Sequence, residues 1–288
     1  MQAGEGLRNA RLSLAVIAMA FASGAGAADE PLWEAGLGVA ALHFPDYRGS
    51  SHSRTYALPS PYLVYRGEVL KADRQGLRGV LLQTDRINLN LSVGASLPVR
   101  SSDDTVRAGM PDLKPSFELG PSLVLTAWRS ADRGARLDIR LPVRGAVTVE
   151  ARPHFIGSQF YPHANVDLRD PAGLSGWNLG MAAGPVYTDA RYNRYFYSVP
   201  AAYATAARPA YTPSGGYGGA QFLVALSKRF PSFWVGGFAR YDSLRGAAFV
   251  DSPLVTTKRY ASAGLAVSWI FAESPQRVAV TPLGETQR

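Results

Sequence analysis

The chain has 288 residues, 47% of them hydrophobic, with 29 glycines, 14 tyrosines, 12 phenylalanines, 5 tryptophans and no cysteine. The missing thiols exclude cysteine nucleophiles, thiolate metal sites and a disulfide framework. The formal charge of +8 is spread without a basic block or a basic helix, which argues against a nucleic-acid partner.

Residues 1–27 read as a secretory signal: Arg8 and Arg11 lead an apolar run over 12–21, and Ala25, Gly26 and Ala27 offer small residues for a peptidase. The run is about half of a bilayer span, so a transmembrane anchor is disfavoured, and membrane residence of the mature chain has to come from strands. Residues 33–41 read as a first strand, followed by a polar loop with His43, Asp46 and several serines. Segments 58–65 and 68–72 flank Arg66 and Gly67, a tight hairpin signal, and 73–76 reads as another turn leading into 77–84. The clearest stretch comes next: Ile87, Leu89, Leu91, Val93, Ala95 and Leu97 alternate with polar residues or glycine. A period of two is a strand with one apolar and one wet face.

Residues 100–114 form a long polar loop. Phe117, Leu119, Leu123 and Leu125 then alternate with Glu118, Gly120 and Ser122, and Leu137, Ile139, Leu141 and Val143 alternate with Arg136, Asp138, Arg140 and Arg144. Pro121 and Pro142 cannot donate to a ladder, so each implies a bulge or a local break. Residues 154–168 and 176–187 are weaker strands, and 188–216 is a tyrosine- and alanine-rich stretch placed in a loop over the barrel mouth. Residues 217–230 and 233–241 form a hairpin around Pro231, and 260–271 closes the series with Leu265, Val267, Trp269 and Phe271 on one face.

About twelve strands result, or ten if the short pair around 73–76 drops out. With twelve, the long connections (42–57, 98–116, 188–216, 244–257) all fall at one end and the short turns at the other. That asymmetry, with aromatics at strand ends, fits an all-β, antiparallel up-and-down transmembrane barrel with long extracellular loops and short periplasmic turns. A soluble β-sandwich explains the alternation equally well but not the two aromatic girdles.

The site candidates divide by chemistry. Ser50, Ser51 and His52 beside Asp46 contain the residue types of a hydrolase, yet neighbours on one loop seldom meet as nucleophile, base and orienting acid. His43, His52, His154 and His163 lack ligand spacing, and Asp103, Asp104 and Asp112 lack the every-second-residue pattern of a calcium loop. Neither a metal nor any other cofactor is expected. Glu118, Arg136, Asp138, Arg140 and Arg144 are expected to face the lumen as an ion-pair network, with an anion-attracting constriction as the sharper reading. Arg48, Arg54, Arg107, Arg191, Arg194 and Arg208 in the loops are candidates for contact with lipopolysaccharide phosphates.

Several short motifs together resemble the MipA/OmpV family of outer-membrane proteins. They are Phe44-Pro45-Asp46-Tyr47-Arg48-Gly49-Ser50, then Pro59, Pro61 and Tyr62 leading to Arg66-Gly67, and later Glu118-Leu119-Gly120-Pro121 and Tyr195-Phe196-Tyr197. The resemblance implies a non-enzymatic barrel in the Gram-negative outer membrane. It further implies a scaffold for murein metabolism, with a lytic transglycosylase and a murein synthase as partners beside outer-membrane lipid. A small-solute channel and an adhesin or stress-response barrel are the alternatives. Family chains end at the aromatic closing strand, whereas here 28–271 is followed by a polar tail, 272–288.

Overall fold

The computed structural model describes residues 28–67, 70–73 and 76–280; the expected export signal at 1–27 and the end of the tail, 281–288, lie outside the described residues. Fifteen strands follow in chain order. They are β1 (Ala28–Pro31), β2 (Trp33–Pro45), β3 (Ser53–Arg66), β4 (Leu70–Asp73), β5 (Gly76–Gln83), β6 (Ile87–Ser96), β7 (Ser116–Arg129) and β8 (Ala135–Thr148). After them come β9 (Phe155–Phe160), β10 (His163–Arg169), β11 (Trp177–Thr188), β12 (Gly216–Arg229), β13 (Phe233–Ser243), β14 (Arg259–Glu273) and β15 (Arg277–Val280). No helix among the described residues is long and apolar enough to cross a membrane.

Consecutive strands from β2 to β14 pair antiparallel except β9 with β10, and β14 closes the ring by pairing with β2, from Ala263 opposite His43 to Glu273 opposite Glu34. The strands β9 and β10 are two halves of one stave: β9 lies against the loop-end half of β8 and β10 against the other half, and both reach β11. The thirteen-stranded sheet is therefore a barrel of twelve staves. Pro142 sits opposite the break at Tyr161 and Pro162, where its carbonyl accepts the Tyr161 N–H and its missing donor is not needed. Pro121 interrupts the β7–β8 ladder without shifting its register; the shift falls later, between Thr126 and Trp128.

Burial inverts the rule for a soluble protein. On β14, Leu265 (69% exposed), Val267 (48%), Trp269 (62%) and Phe271 (67%) face outward, while Ser262 and Ser268 on the opposite face are buried. Leu37, Val39 and Leu63 on the neighbouring strands are exposed as well. An outward apolar belt over a polar interior is the signature of a barrel standing in lipid.

The connections 84–86, 130–134, 170–176 and 230–232 share one end of the barrel with both described termini, here termed the turn end; 46–52, 97–115, 189–215 and 244–258 share the loop end. Two features of the tail segment were not visible in the alternation. The closing strand continues past Phe271 to Glu273, and β15 doubles back to pair with β1 in a separate two-stranded ribbon at the turn end.

The short hairpin β4–β5 leaves one stretch of wall low, since β3 pairs with β4 only at Tyr65 and Arg66 among the described residues. The Arg66 N–H points to Leu32 on the β2 side, so with the unshifted β2–β3 register the odd-numbered residues of β3 turn their N–H groups toward β4. Pro59 and Pro61 occupy two of those positions, and they remove donors where no partner strand stands.

Candidate functional site

Two arrangements of polar and apolar groups distinguish this barrel: a packed plug across the loop end, and ionised side chains lining the lumen beneath it.

The plug is assembled from four loops. The 189–215 loop carries an eight-residue helix, α1 (Ala190–Tyr197), started by Asp189, whose side chain accepts the Tyr192 N–H at 2.7 Å. The helix packs on β9, where Gly157 has φ of +128° and a Cβ would stand 2.2 Å from the Tyr192 nitrogen, so only glycine allows the approach. From α1, Phe196 and Tyr197 join Tyr47, Met110, Leu244, Phe249 and Leu254 in one buried apolar cluster. Tyr197 stacks on Phe249 with ring centroids 3.8 Å apart and planes 5° from parallel.

Polar contacts bolt the loops together. The Tyr47 hydroxyl donates to the Leu254 carbonyl (2.7 Å), Tyr197 to the Arg48 carbonyl (3.0 Å) and Ser252 to the Tyr197 carbonyl (2.8 Å). Arg107 donates to the carbonyls of Phe196 and Pro111, and Arg208 to those of Val106, Ala108 and Tyr203. Burial raises the Tyr47 and Tyr197 hydroxyls well above the ordinary tyrosine range. Hydrogen bonds from Arg54 and Ser102 hold the exposed Asp103 carboxyl below the usual value.

These contacts reassign four of the loop arginines. Arg48 pairs with Asp242 at 3.3 Å, Arg54 with Asp46 and Asp103 at 2.8 and 3.0 Å, and Arg107 and Arg208 hold backbone carbonyls. Arg48 and Arg107 are thereby internal clamps, while Arg54 and Arg208 tie neighbouring segments of the loop end together. Arg191 lies over the Phe155 ring, and both it and Arg194 are exposed.

Beneath the plug, the five charged residues picked from the strand alternation sort into two groups. Glu118 faces Arg144 at 3.5 Å, and also accepts from Tyr192 of α1 (3.1 Å) and from Gln159; Arg144 donates to Ser92. Nearer the turn end, Asp138 (1% exposed) meets Arg136 (4%) at 3.0 Å and Arg140 at 3.3 Å, and accepts from Thr126. Asp167 on β10 faces both arginines at 3.2 and 3.3 Å. Alternation on β7 and β8 could not supply Asp167, because strand pairing across the β9–β10 break brings it in.

Two further networks were missed. Arg48, Arg240, Gln221 and Tyr260 converge with Asp242, and Glu34 at the turn end receives Arg66 (2.8 Å), Arg229 (2.9 Å) and the Tyr62 hydroxyl (3.3 Å). A signal was present in Arg240 and Asp242, two charges at an i, i+2 spacing in an otherwise apolar strand.

The family-motif residues occupy structural positions. Pro45 ends β2, Tyr47, Gly49 and Ser50 lie in the plug, Pro59 and Pro61 face the low wall, Tyr62 is lumenal and Gly67 follows β3. Gly49 has φ of +98°, and a Cβ there would approach Leu244 Cδ1 to 2.9 Å. Of the hydrolase candidates, His52 Nδ1 does meet Asp46 at 2.9 Å. Ser50 Oγ, however, bonds the His52 backbone and Asp104, and Ser51 Oγ bonds Thr256, so both hydroxyls are engaged away from the ring. No group of three or more His, Cys, Asp or Glu able to hold a metal occurs among the described residues. Asp104 and Asp112 instead accept hydrogen bonds within their own region, from Ser50 and from the Ser101 N–H.

Comparison with known proteins gives one family: residues 37–271 match the family described as MltA-interacting protein MipA. No curated protein matches the chain. Among solved structures, a protein described as "CymD monoaromatic hydrocarbon channel" is similar at 11% identity over 85% of this chain and 90% of that one, with a TM-score of 0.30. A structure titled "Asymmetric conductivity of engineered proteins" is similar at 10% identity over 84% of this chain and 100% of that one, with a TM-score of 0.14.

Proposed function

The chain belongs to the MipA family, and from that premise we propose that it is a non-enzymatic outer-membrane barrel acting as a docking scaffold for murein-processing enzymes. A lytic transglycosylase of the type named in the family description is the first partner, and a murein synthase the second. In this reading the turn end faces the periplasm, the loop end faces the exterior, and the export signal at 1–27 has been removed. Arg191 and Arg194 are the arginines left to meet lipopolysaccharide.

The plug is the observation that carries the reading. Four loops bury Tyr47, Tyr197, Leu244, Phe249 and Leu254 across one mouth, and paired charges line the lumen below. A barrel built for free solute passage leaves a hydrated path; this one invests its loops in closing that path, which supports a static role over the channel alternative. Docking then falls to the turn end, where the β1–β15 ribbon projects next to the short turns. The test is capture on the folded, immobilised barrel of a purified lytic transglycosylase and a murein synthase. Retention of either at micromolar concentration, lost when residues 272–288 and the exposed turns are blocked, is the expected result. Retention of neither would remove the scaffold reading.

A further inference from the structure

The loop end carries a cationic patch on its outer rim that neither the plug nor the lumen uses. Lys114, Arg152, Arg191 and Arg194 are exposed, and among the described residues no hydrogen bond or ion pair engages their side chains. We infer that this patch, with the apolar strip below it, binds the phosphorylated headgroup of lipid A. The inference deepens the reading above, which leaves Arg191 and Arg194 to meet lipopolysaccharide, and rests on the loop end facing the exterior; it does not depend on the scaffold role.

Register places the strip on the outside. Phe117 stands opposite Val147, and Val147 opposite Phe155, across β7, β8 and β9. All three are exposed (41%, 36% and 41%), whereas Glu118, Ala146 and Thr148, of the other parity, are buried on the inner face. The Arg191 guanidinium lies 5.2 Å from the Phe155 ring centroid, so this side chain rests against the outer wall rather than in the plug.

The other cations gather in the same sector. Arg194 follows Arg191 by about one turn on the exposed side of α1, whose opposite side buries Asn193, Phe196 and Tyr197. The Tyr195 hydroxyl accepts the Lys114 N–H at 2.8 Å, and the Val149 N–H donates to the Pro115 carbonyl at 2.7 Å. These contacts bring Lys114 and the connection that carries Arg152 beside α1. The carboxylates at hand are engaged elsewhere: Glu150 Oε1 lies 3.0 Å from His154 Nδ1, and Asp189 accepts the Tyr192 and Ser158 N–H groups. By contrast, the lumenal Arg136, Arg140 and Arg144 all have carboxylate partners.

Position selects the ligand. Outward aromatic residues mark the interfacial level of a barrel, so cations just beyond Phe117 and Phe155 toward the loop end stand at headgroup height. A guanidinium meets phosphate in a two-pronged contact. Lipid A carries its phosphates on a sugar core together with its acyl chains, so a single molecule engages the cations through the former and the apolar strip through the latter.

The full mature barrel, solubilised in neutral detergent, is mixed with equal amounts of lipid A and phosphatidylglycerol, and retained lipids are counted by native mass spectrometry. Lipid A is expected to be retained preferentially, and lipid A stripped of its phosphates no better than phosphatidylcholine. Arg191→Gln/Arg194→Gln should lower lipid A retention about 25-fold, at about fivefold per cation, while the barrel keeps its heat-modifiable gel mobility. Should loss of the Arg191 contact with Phe155 disturb α1, Lys114→Gln/Arg194→Gln decides, because neither side chain has a protein partner among the described residues; the same fall is expected. Arg245→Gln/Lys258→Gln removes equal charge from the 244–258 connection and should leave retention unchanged. A preference for phosphatidylglycerol, equal retention of lipid A with and without phosphates, an equal loss in the Arg245/Lys258 variant, or displacement by millimolar inorganic phosphate would each overturn the inference. Orientation is read separately: Ala206→Cys, exposed in the 189–215 loop of a chain with no other cysteine, should react with a membrane-impermeant maleimide on intact cells. Absence of that reaction would overturn the outward loop end and the lipid A assignment with it, whereas failed retention with normal labelling overturns the site alone.

Discussion

Phe249→Ala is the sharpest probe of the plug. Phe249 is 1% exposed and stacks face to face on Tyr197 of α1, and its ring makes no hydrogen bond, so truncation removes packing without orphaning a polar group. Replacing a buried phenylalanine by alanine costs about 3–5 kcal/mol where the site cannot collapse. Here the hydrogen-bonded frame of Tyr47, Tyr197 and Ser252 holds the surroundings open. The loss falls on the plug rather than on the barrel, because the staves are closed by their own ladders. At 1.4 kcal/mol per decade, plug opening becomes about 140 to 4,000 times more frequent. Hydrogen exchange reads this directly: the amides of Asn193, Val199 and Tyr211, bonded to Asp189, Tyr211 and Val199, should lose that much protection. Strand amides such as those of β7 and β13 should stay within about twofold of their original protection. Unchanged exchange in α1, or equal loss throughout the barrel, would refute the claim that the plug is a separate packed unit.

Two further outcomes follow from the charged and phenolic groups. Asp138→Asn leaves Arg136 and Arg140 facing a neutral amide; the barrel should lose about 3 kcal/mol in urea unfolding, the low end for a broken buried pair because Asp167 still faces both arginines. A change under about 0.5 kcal/mol, ordinary for a surface site, would mean that this network is solvated. Tyr47 and Tyr197 have hydroxyl pKa values raised by burial above the ordinary 10.0. Their burial therefore contributes stability that is complete below pH about 10 and is lost as the pH climbs toward the folded-state values. Absorbance titration at alkaline pH should show Tyr47 and Tyr197 in a delayed fraction, released only as α1 loses protection. A single transition near 10 with the plug intact would contradict the burial.

How far the sequence reveals this structure depends on the range of the interaction. The staves were legible because alternation is local: Leu89, Leu91 and Val93, or Leu265, Val267 and Trp269, declare their faces one residue at a time. The sides of the long and short connections followed from counting strands. The plug was legible only as a position. Its helix is eight residues long in a tyrosine-rich loop without an apolar run, and its burial comes from Phe249 and Leu254, more than fifty residues downstream. For the same reason Arg48, Arg107 and Arg208 read as surface cations although they clamp other loops. Lumen charges on β7 and β8 were identifiable from their spacing, but their partner Asp167 was not, since a broken stave delivers it. The β1–β15 ribbon, four pairs between the two ends of the described chain, has no local signature at all.

The central claim is a barrel closed by its own loops, and single-channel recording in planar bilayers tests it most directly. The refolded, heat-modifiable wild-type barrel should show no steady conductance, while Phe249→Ala should show intermittent openings. A stable open current from the wild-type protein would contradict the account.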